Sequence, residues 1–442
     1  MTRPGGAETA MPVPGLWRAV TASVVGNGLE WFDFLSYAYF ASSIGQAIFP
    51  LGDPVASLLL TYGVFAAGFV MRPVGGVLFG LYADYKGRKR ALVLLTGLMA
   101  AGTLLMALTP SYGRIGIAAP ALVILARLIQ GVSVGGEFGS AAAMLVEYAP
   151  PGRRMFYASF QMMSHGLALV FVSAFSYALT TRLDPVALDD WGWRIPFLFG
   201  ALIGPVGLYI RHHVGETPEF LRAQSLHRPA AARRRGRPAL AAVTCGIGVI
   251  SLGAAVNYLW HSYAPIYVVQ HLHLPLSTAL GGTALAGLIA TVTYPLSGWL
   301  ADRVGPFRLF FPVVTLFALS AWPLYHYVAA APSVERLYAC QAAAALFLGL
   351  MSGAHPGMLA ALFPTESRST GIALSYNIAV LLFGGLAPMI VTGLIAVSGD
   401  QMMPAYFQIC VACLSLALVG GTAGAWRGIG PSDRQAETAG VS

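Results

Sequence analysis

The sequence predicts an all-α membrane protein: twelve transmembrane helices in two six-helix halves. Three observations predict it. Charged residues make up only 10% of the chain and apolar residues 57%, where a soluble protein carries about 25% charged residues. Apolar runs of roughly 20 residues or more, enough to cross a bilayer, follow one another along the chain. A short charged motif from the first half recurs in the second. The alternating ten-residue segments of an outer-membrane barrel are not seen.

The Pro/Gly-rich residues 1–16 are expected to be a disordered tail. The apolar run after them is too long for a signal-peptide core and contains Glu30 and Asp33, so it reads as a retained first span. The first half, 17–211, is expected to hold spans at 17–46, 55–84, 90–109, 119–148, 155–181 and 193–211. A hydrophilic loop, 212–238, follows. The second half, 239–427, is expected to hold spans at 239–270, 276–303, 307–329, 333–363, 369–398 and 402–427, before a tail at 428–442. Pro50 to Pro54, Pro150-Pro151-Gly152 and Pro404 mark several ends.

Basic residues orient the bundle. Of 26 Lys and Arg, 20 fall on the side shared by both termini and the long loop, and only Arg114, Arg182, Arg194 and Arg336 on the other. The positive-inside rule then makes both termini and the loop cytoplasmic. The net charge of +8 is read as topology rather than as a nucleic-acid surface. The Arg233–Arg237 cluster fits a topology determinant, with a lipid-headgroup site as the alternative. Cys245, Cys340, Cys410 and Cys413 all lie in apolar runs, so no disulfide framework is implied; Cys410 and Cys413 read as buried apolar residues.

The repeat joins Gly80-Leu-Tyr-Ala-Asp84-Tyr-Lys-Gly87-Arg88 to Gly298-Trp-Leu-Ala-Asp302-Arg-Val-Gly305-Pro306, each after the second span of its half. A second echo joins Glu147-Tyr-Ala-Pro150-Pro-Gly-Arg-Arg154 to Ala361-Leu-Phe-Pro364-Thr-Glu-Ser-Arg368. Repeated halves are a sequence sign of secondary transporters. The Gly80–Arg88 stretch resembles the signature loop between helices 2 and 3 of the major facilitator superfamily, departing from it at Tyr82 and Tyr85. Four further stretches resemble its metabolite:proton symporter branch: Gly26–Phe34, Arg127–Glu137, Trp191–Phe197 and Gly215–Phe220. That resemblance implies the major facilitator fold. It also implies proton-coupled import of an organic acid, such as citrate, 2-oxoglutarate or shikimate, or of a zwitterionic osmolyte.

Charged residues inside spans carry the chemistry. An intramembrane carboxylate costs about 2.5–3.5 kcal/mol at a helix centre, so it faces protein or water and is a functional candidate. Glu30 and Asp33 are three apart and share a helix face. Arg72 lies twelve residues before Asp84, about 18 Å into the membrane. Glu137 should sit at mid-depth on the fourth span and Arg127 further from the cytoplasmic side. Related facilitators place an acid on the first helix against an Arg on the fourth, and Asp33 and Arg127 match those positions. Arg keeps its proton while a carboxylate can lose one. A change that alternately pairs and buries Asp33 would therefore bind and release a proton; the alternative is a permanent ion pair holding the two helices together. Glu30 and Glu137 complete the proton-coupling candidates. Arg72 is the candidate for an anionic substrate group, because a planar guanidinium matches a carboxylate; a partner role to Glu137 or Glu30 is the alternative, and Arg127 could share substrate binding.

The second half has no charge deep in a span. Its polar candidates for the substrate are Asn257, Tyr258, His261, Tyr376 and Asn377, with Tyr263, Tyr267 and His355 nearby in sequence; Gln161, Ser164 and His165 face similarly on the fifth span. Interhelical hydrogen bonding is the bland alternative for each. The resemblance implies that Asp84, Arg88, Glu147, Arg154, Glu216, Asp302 and Arg368, at span ends, lock the cytoplasmic side. Ala361 and Pro306 stand where the first half has Glu147 and Arg88, so the second-half network should be thinner.

No phosphate-binding glycine loop, Ser/His/Asp order or zinc-type spacing stands out. Neither catalytic residues, a metal, a cofactor nor enzyme activity is expected; a proton gradient drives the cycle. The leading reading is a symporter in a bacterial inner membrane, monomeric, whose partners are a small organic anion, the proton and lipid. An osmolyte symporter is the alternative, and a non-transporting membrane sensor or a membrane-embedded enzyme a further one.

Overall fold

A computed structural model describes residues 15–225 and 239–427. The Arg233–Arg237 cluster, most of the 1–16 tail and the 428–442 tail lie outside the described residues. Twelve long helical segments run through the rest. The first six are α1 (Leu16–Tyr39), α2 (Pro54–Lys86), α3 (Arg88–Leu108), α4 (Ala118–Tyr148), α5 (Arg154–Arg182) and α6 (Ile195–His212). The second six are α7 (Leu240–Asn257), α8 (Leu276–Val304), α9 (Pro306–Ala330), α10 (Val334–Ser352, continued as His355–Leu362), α11 (Arg368–Val380) and α12 (Met403–Gly421). Ten stretches of the described residues are long and apolar enough to cross a membrane. Neither α1, whose run contains Glu30 and Asp33, nor α6 is among them.

Four of the expected spans are interrupted, three of them where a proline removes a backbone donor. The first expected span, 17–46, is two helices, Leu16–Tyr39 and Ala41–Ile48. A π-helical turn, Tyr258–Ser262, follows α7 before Ala264–Gln270, and another, Leu381–Gly385, follows α11 before Ala387–Ser398. Each turn closes by a bond five residues long, Tyr263 N–H to Tyr258 O at 2.8 Å and Leu386 N–H to Leu381 O at 3.2 Å. Pro265 and Pro388 come two residues later. Proline has no N–H for the regular ladder, and the widened turn absorbs the fault. The α10 interruption precedes Pro356 for the same reason.

α4 packs closely on α2 through small residues: a Cβ on Gly135 would lie 2.0 Å from the Arg72 carbonyl oxygen. Membrane helices associate through such seams because lipid supplies no hydrophobic drive between them. The two halves meet along α5 with α8 and along α2 with α11. Cys245 and Cys340 are buried, but Cys410 and Cys413 are exposed on α12, against the expectation. The outer surface of a membrane bundle is itself apolar, so an apolar run does not tell interior from lipid-facing.

Candidate functional site

The two acids of α1 face different surroundings. Asp33 points into the first half. Its Oδ2 accepts from Arg127 Nη1 at 3.3 Å and from Gln130 Nε2 at 2.9 Å, and its Oδ1 accepts from Thr103 Oγ1 at 2.9 Å. One carboxylate thus ties α1 to α3 and α4. The Arg127 guanidinium lies 3.9 Å from the centre of the Tyr37 ring, whose π-face supports a cation. Asp33 is 2% exposed and Arg127 1%, so removing either would strand a buried charge. The expected acid–base contact is present as geometry. Thr103 and Gln130 are additions that the sequence reading did not single out.

Glu30, one turn earlier, lies within electrostatic reach of Tyr258 and Tyr376 from the second half, as does Arg72. Arg72 is buried between the Phe34 and Phe69 rings, 4.5 and 4.3 Å from their centres. Its Nη1 donates to the Tyr258 hydroxyl at 3.4 Å. Glu137 is buried on α4 beside Phe138, whose ring stacks on Tyr376 with centroids 3.5 Å apart.

Between the halves lies a cavity of about 40 Å³ lined by His165, Asn257, Tyr258, Tyr294, His355 and Tyr376, among others. Ligand pockets usually hold about 300–1,000 Å³, so the bundle is closed around this space. A larger cleft of about 680 Å³ opens at the charged end, beside Lys86, Lys89, Arg90 and Glu216. None of Glu30, Asp33, Arg72, Arg127 and Glu137 lines it, and the closed central cavity is the better candidate site.

Several other candidates are engaged in holding helices. Asn377 Nδ2 donates to the Gly135 and Ala373 carbonyls, both at 2.7 Å, so it bridges α11 to α4. Gln161 Nε2 donates to Phe138 O at 3.3 Å, and Ser164 Oγ receives Asn27 Nδ2 at 2.6 Å. His261 pairs with Asn257 at 3.0 Å, and its ring lies 6.0 Å from that of His165. The Tyr263 hydroxyl receives Thr392, and Tyr267 donates to Gln401 O.

At the charged end both copies of the repeated motif do the same work. Asp84 accepts the backbone N–H groups of Ser369 and Thr370 at 3.0 and 2.9 Å, capping α11 of the other half. Asp302 accepts those of Met155 and Phe156 at 3.0 and 2.9 Å, capping α5. Helix N-termini carry unsatisfied donors and a positive dipole end, which a carboxylate satisfies. Gly87 and Gly305, the second glycines of the two motifs, have φ of 109° and 97°, a turn that disfavours side chains.

Two further acids, Glu147 and Glu219, gather arginines from both halves. Glu147 receives Arg88 at 3.1 Å and Arg368 at 3.0 Å, and Glu219 receives Arg368 at 2.7 Å and Arg154 at 2.8 Å. Ala361 and Pro306 stand where the first half has Glu147 and Arg88, while Asp302 keeps its capping role.

The Gly215–Phe220 motif supplies more than the expected Glu216. Thr217 Oγ1 donates to Glu147, Glu219 joins the two arginines, and Phe220 lies under Arg88. Glu216 itself caps α3 through the N–H groups of Arg88 and Lys89. Burial pushes its carboxyl above the usual range, against the opposing pull of the Thr217, Arg88 and Lys89 N–H groups and the Arg88 charge. At the far end Arg194 of the Trp191–Phe197 motif donates to the Thr109 carbonyl at 2.9 Å and stacks over Trp193, closing α3 onto α6.

Residues 28–388 match the profile of the Major Facilitator Superfamily. The chain is 36% identical over 409 residues to a citrate-proton symporter of Salmonella typhi, covering 91% of this chain and 93% of that one. It is 32% identical over 419 residues to a proline/betaine transporter of Escherichia coli (strain K12), covering 91% and 82%. The solved structure of the proton:xylose symporter XylE bound to 6-bromo-6-deoxy-D-glucose superposes with a TM-score of 0.80 at 17% identity, covering 93% and 96%; at that identity the likeness is one of fold. With the repeated motif, the two halves and these matches together, the chain belongs to the major facilitator superfamily.

Proposed function

We propose that the chain is a proton-coupled symporter that imports a small organic acid, of di- or tricarboxylate type, by alternating access. The observation that carries this reading is the buried Asp33 carboxylate, held by one cation and two neutral donors. Such a group can take up a proton and free Arg127 when the helices around it move. The citrate-proton symporter relative supports the solute class. Arg72 is the anion-recognising side chain, acting through Tyr258, and the charged end faces the cytoplasm of a bacterial cell, where the caps and ion pairs close the inner gate. The protein works as a monomer, without a cofactor.

A second reading, a zwitterionic osmolyte, draws on the rings of Trp31, Tyr258, Tyr294 and Tyr376 around the cavity, which suit a quaternary ammonium. Proteoliposomes separate the two. Labelled citrate should accumulate when an inward proton gradient is imposed and equilibrate without it. Betaine accumulation with no citrate uptake would replace the first reading by the second, and uptake of neither would remove both.

A further inference from the structure

Three residues lining the central cavity carry a buried side-chain atom without a hydrogen-bond partner: Nε2 of His165, Oγ of Ser352 and Nε2 of His355. All three side chains are nearly inaccessible, at 3%, 4% and 3% exposure. A buried polar group without a partner is costly, and natural proteins keep few of them. Here three converge on one space from two halves, His165 from α5 and the others from α10.

Their positions are enforced. A Cβ on Gly253 of α7 would lie 2.7 Å from Ser352 Oγ and 2.8 Å from His355 Cε1, so α7 presses its bare backbone against both. The His165 ring is fixed edge-on to Trp31, centroids 4.3 Å apart. Its Nδ1 faces the Tyr294 hydroxyl at 3.3 Å. When Tyr294 donates its O–H to Nδ1, a neutral imidazole carries its proton on Nε2, which has no other partner. A hydroxyl and two imidazole Nε2 atoms, each able to carry a proton, are a donor set that an oxyanion would satisfy. They stand apart from Arg72, whose contact with the cavity is made through Tyr258.

We propose that His165, Ser352 and His355 form a second oxyanion subsite, so that the transported acid must carry at least two carboxylates. This rests on the organic-acid reading above. One carboxylate is recognised from the Arg72 side through the Tyr258 hydroxyl, and the other is clasped between α5 and α10. Because the clasp joins the halves, an acid with a single carboxylate satisfies one wall and leaves the other without a partner. The subsite therefore selects for polycarboxylates over monocarboxylates and over zwitterions.

The test uses the full chain in proteoliposomes, with labelled citrate counterflow at equal pH on both sides so that the proton step does not enter. His355→Ala and Ser352→Ala should each raise the half-saturation concentration for citrate at least tenfold and threefold, respectively. His355→Gln keeps an N–H donor near the Nε2 position and should return it to within threefold of the wild type. Succinate should compete with citrate and butyrate should not. Wild-type citrate exchange with both alanine variants within twofold of it overturns the subsite and leaves the organic-acid reading standing. Absence of wild-type citrate exchange removes both. Should His355→Ala fail to purify as a monodisperse protein, Ser352→Ala and the succinate–butyrate comparison decide the matter.

Discussion

Asp33 and Arg127 meet through one contact of 3.3 Å, longer than the 2.9 Å at which the neutral Gln130 and Thr103 reach the same carboxylate. The pair is thus not a bidentate fork. Its neutral donors hold the carboxyl in place whether or not the guanidinium remains beside it. Protonation would loosen the charged contact while sparing part of the scaffold, which is what a reversible proton site needs.

Asp33→Asn cannot cycle a proton. Gradient-driven accumulation of the solute is predicted to fall at least tenfold, while counterflow exchange stays within severalfold of the wild type. The variant also leaves Arg127 buried without its counter-charge, at a cost of about 3–5 kcal/mol. Its thermal midpoint should drop, and Asp33→Asn combined with Arg127→Gln should recover part of the loss. Full gradient-driven uptake by the single variant would sink the assignment.

Arg72→Lys keeps the charge and loses the planar fork between Phe34 and Phe69. We predict about a tenfold rise in half-saturation for the acid with little change in folding, read from counterflow and melting curves. An unchanged half-saturation would place anion recognition elsewhere.

Asp84→Ala and Asp302→Ala each bare the N-terminus of a helix in the opposite half. Loss of a cap costs about 1 kcal/mol, so each should shift the balance toward the form open at the charged end by about fivefold. Labelling of a cysteine placed beneath the gate would report it. The two shifts should be similar, although only the first motif carries the arginine; a much larger effect at Asp84 would mean that Arg88 dominates the lock.

Glu216 supplies a pH prediction. Its carboxyl is raised by burial in the folded protein, so the folded state holds the proton more tightly than the unfolded state does. Folding is then favoured at low pH and loses that contribution as pH rises from the ordinary carboxyl range through the raised value. Glu216→Gln keeps an acceptor for the Arg88 and Lys89 N–H groups without the charge. Its thermal midpoint relative to the wild type should be higher at pH 8 than at pH 4. An equal difference at both pH values would contradict the burial argument.

Gly135→Ala would bring a Cβ to 2.0 Å from the Arg72 carbonyl oxygen. Backbone cannot yield as a flexible side chain does, so α2 and α4 must part, at a cost of about 1–3 kcal/mol or more. We predict a lower thermal midpoint and weakened transport together, since Arg72 moves with its helix. A variant of normal stability and transport would show that the seam is slack.

Much of this architecture is legible in the sequence because membrane helices must be long and apolar. Asp33 stands out because a carboxylate in such a run is costly unless protein surrounds it. Thr103 and Gln130 do not stand out. A threonine in a span often bonds its own backbone one turn away, as Thr96 does to Leu92 O, and nothing local separates that habit from a role across helices. Glu219 lies in a motif that the sequence displays, yet its partner Arg368 is 149 residues away. Pro265 and Pro388 announce breaks, but not that the chain would widen into a π turn instead of ending. The exposed Cys410 and Cys413 show the remaining ambiguity, since lipid and protein interior ask for the same residue types.

The crossed aspartates make the solution at the charged end a participant in the cycle. When the halves part there, Asp84 and Asp302 withdraw and two helix N-termini meet the surrounding fluid. Bared in this way, those ends would attract small anions such as phosphate or chloride. Ions that settle on them stabilise the open form in proportion to their concentration. On the proposed alternating-access cycle, the balance between closed and open forms would therefore depend partly on the ionic make-up of the solution at the charged end.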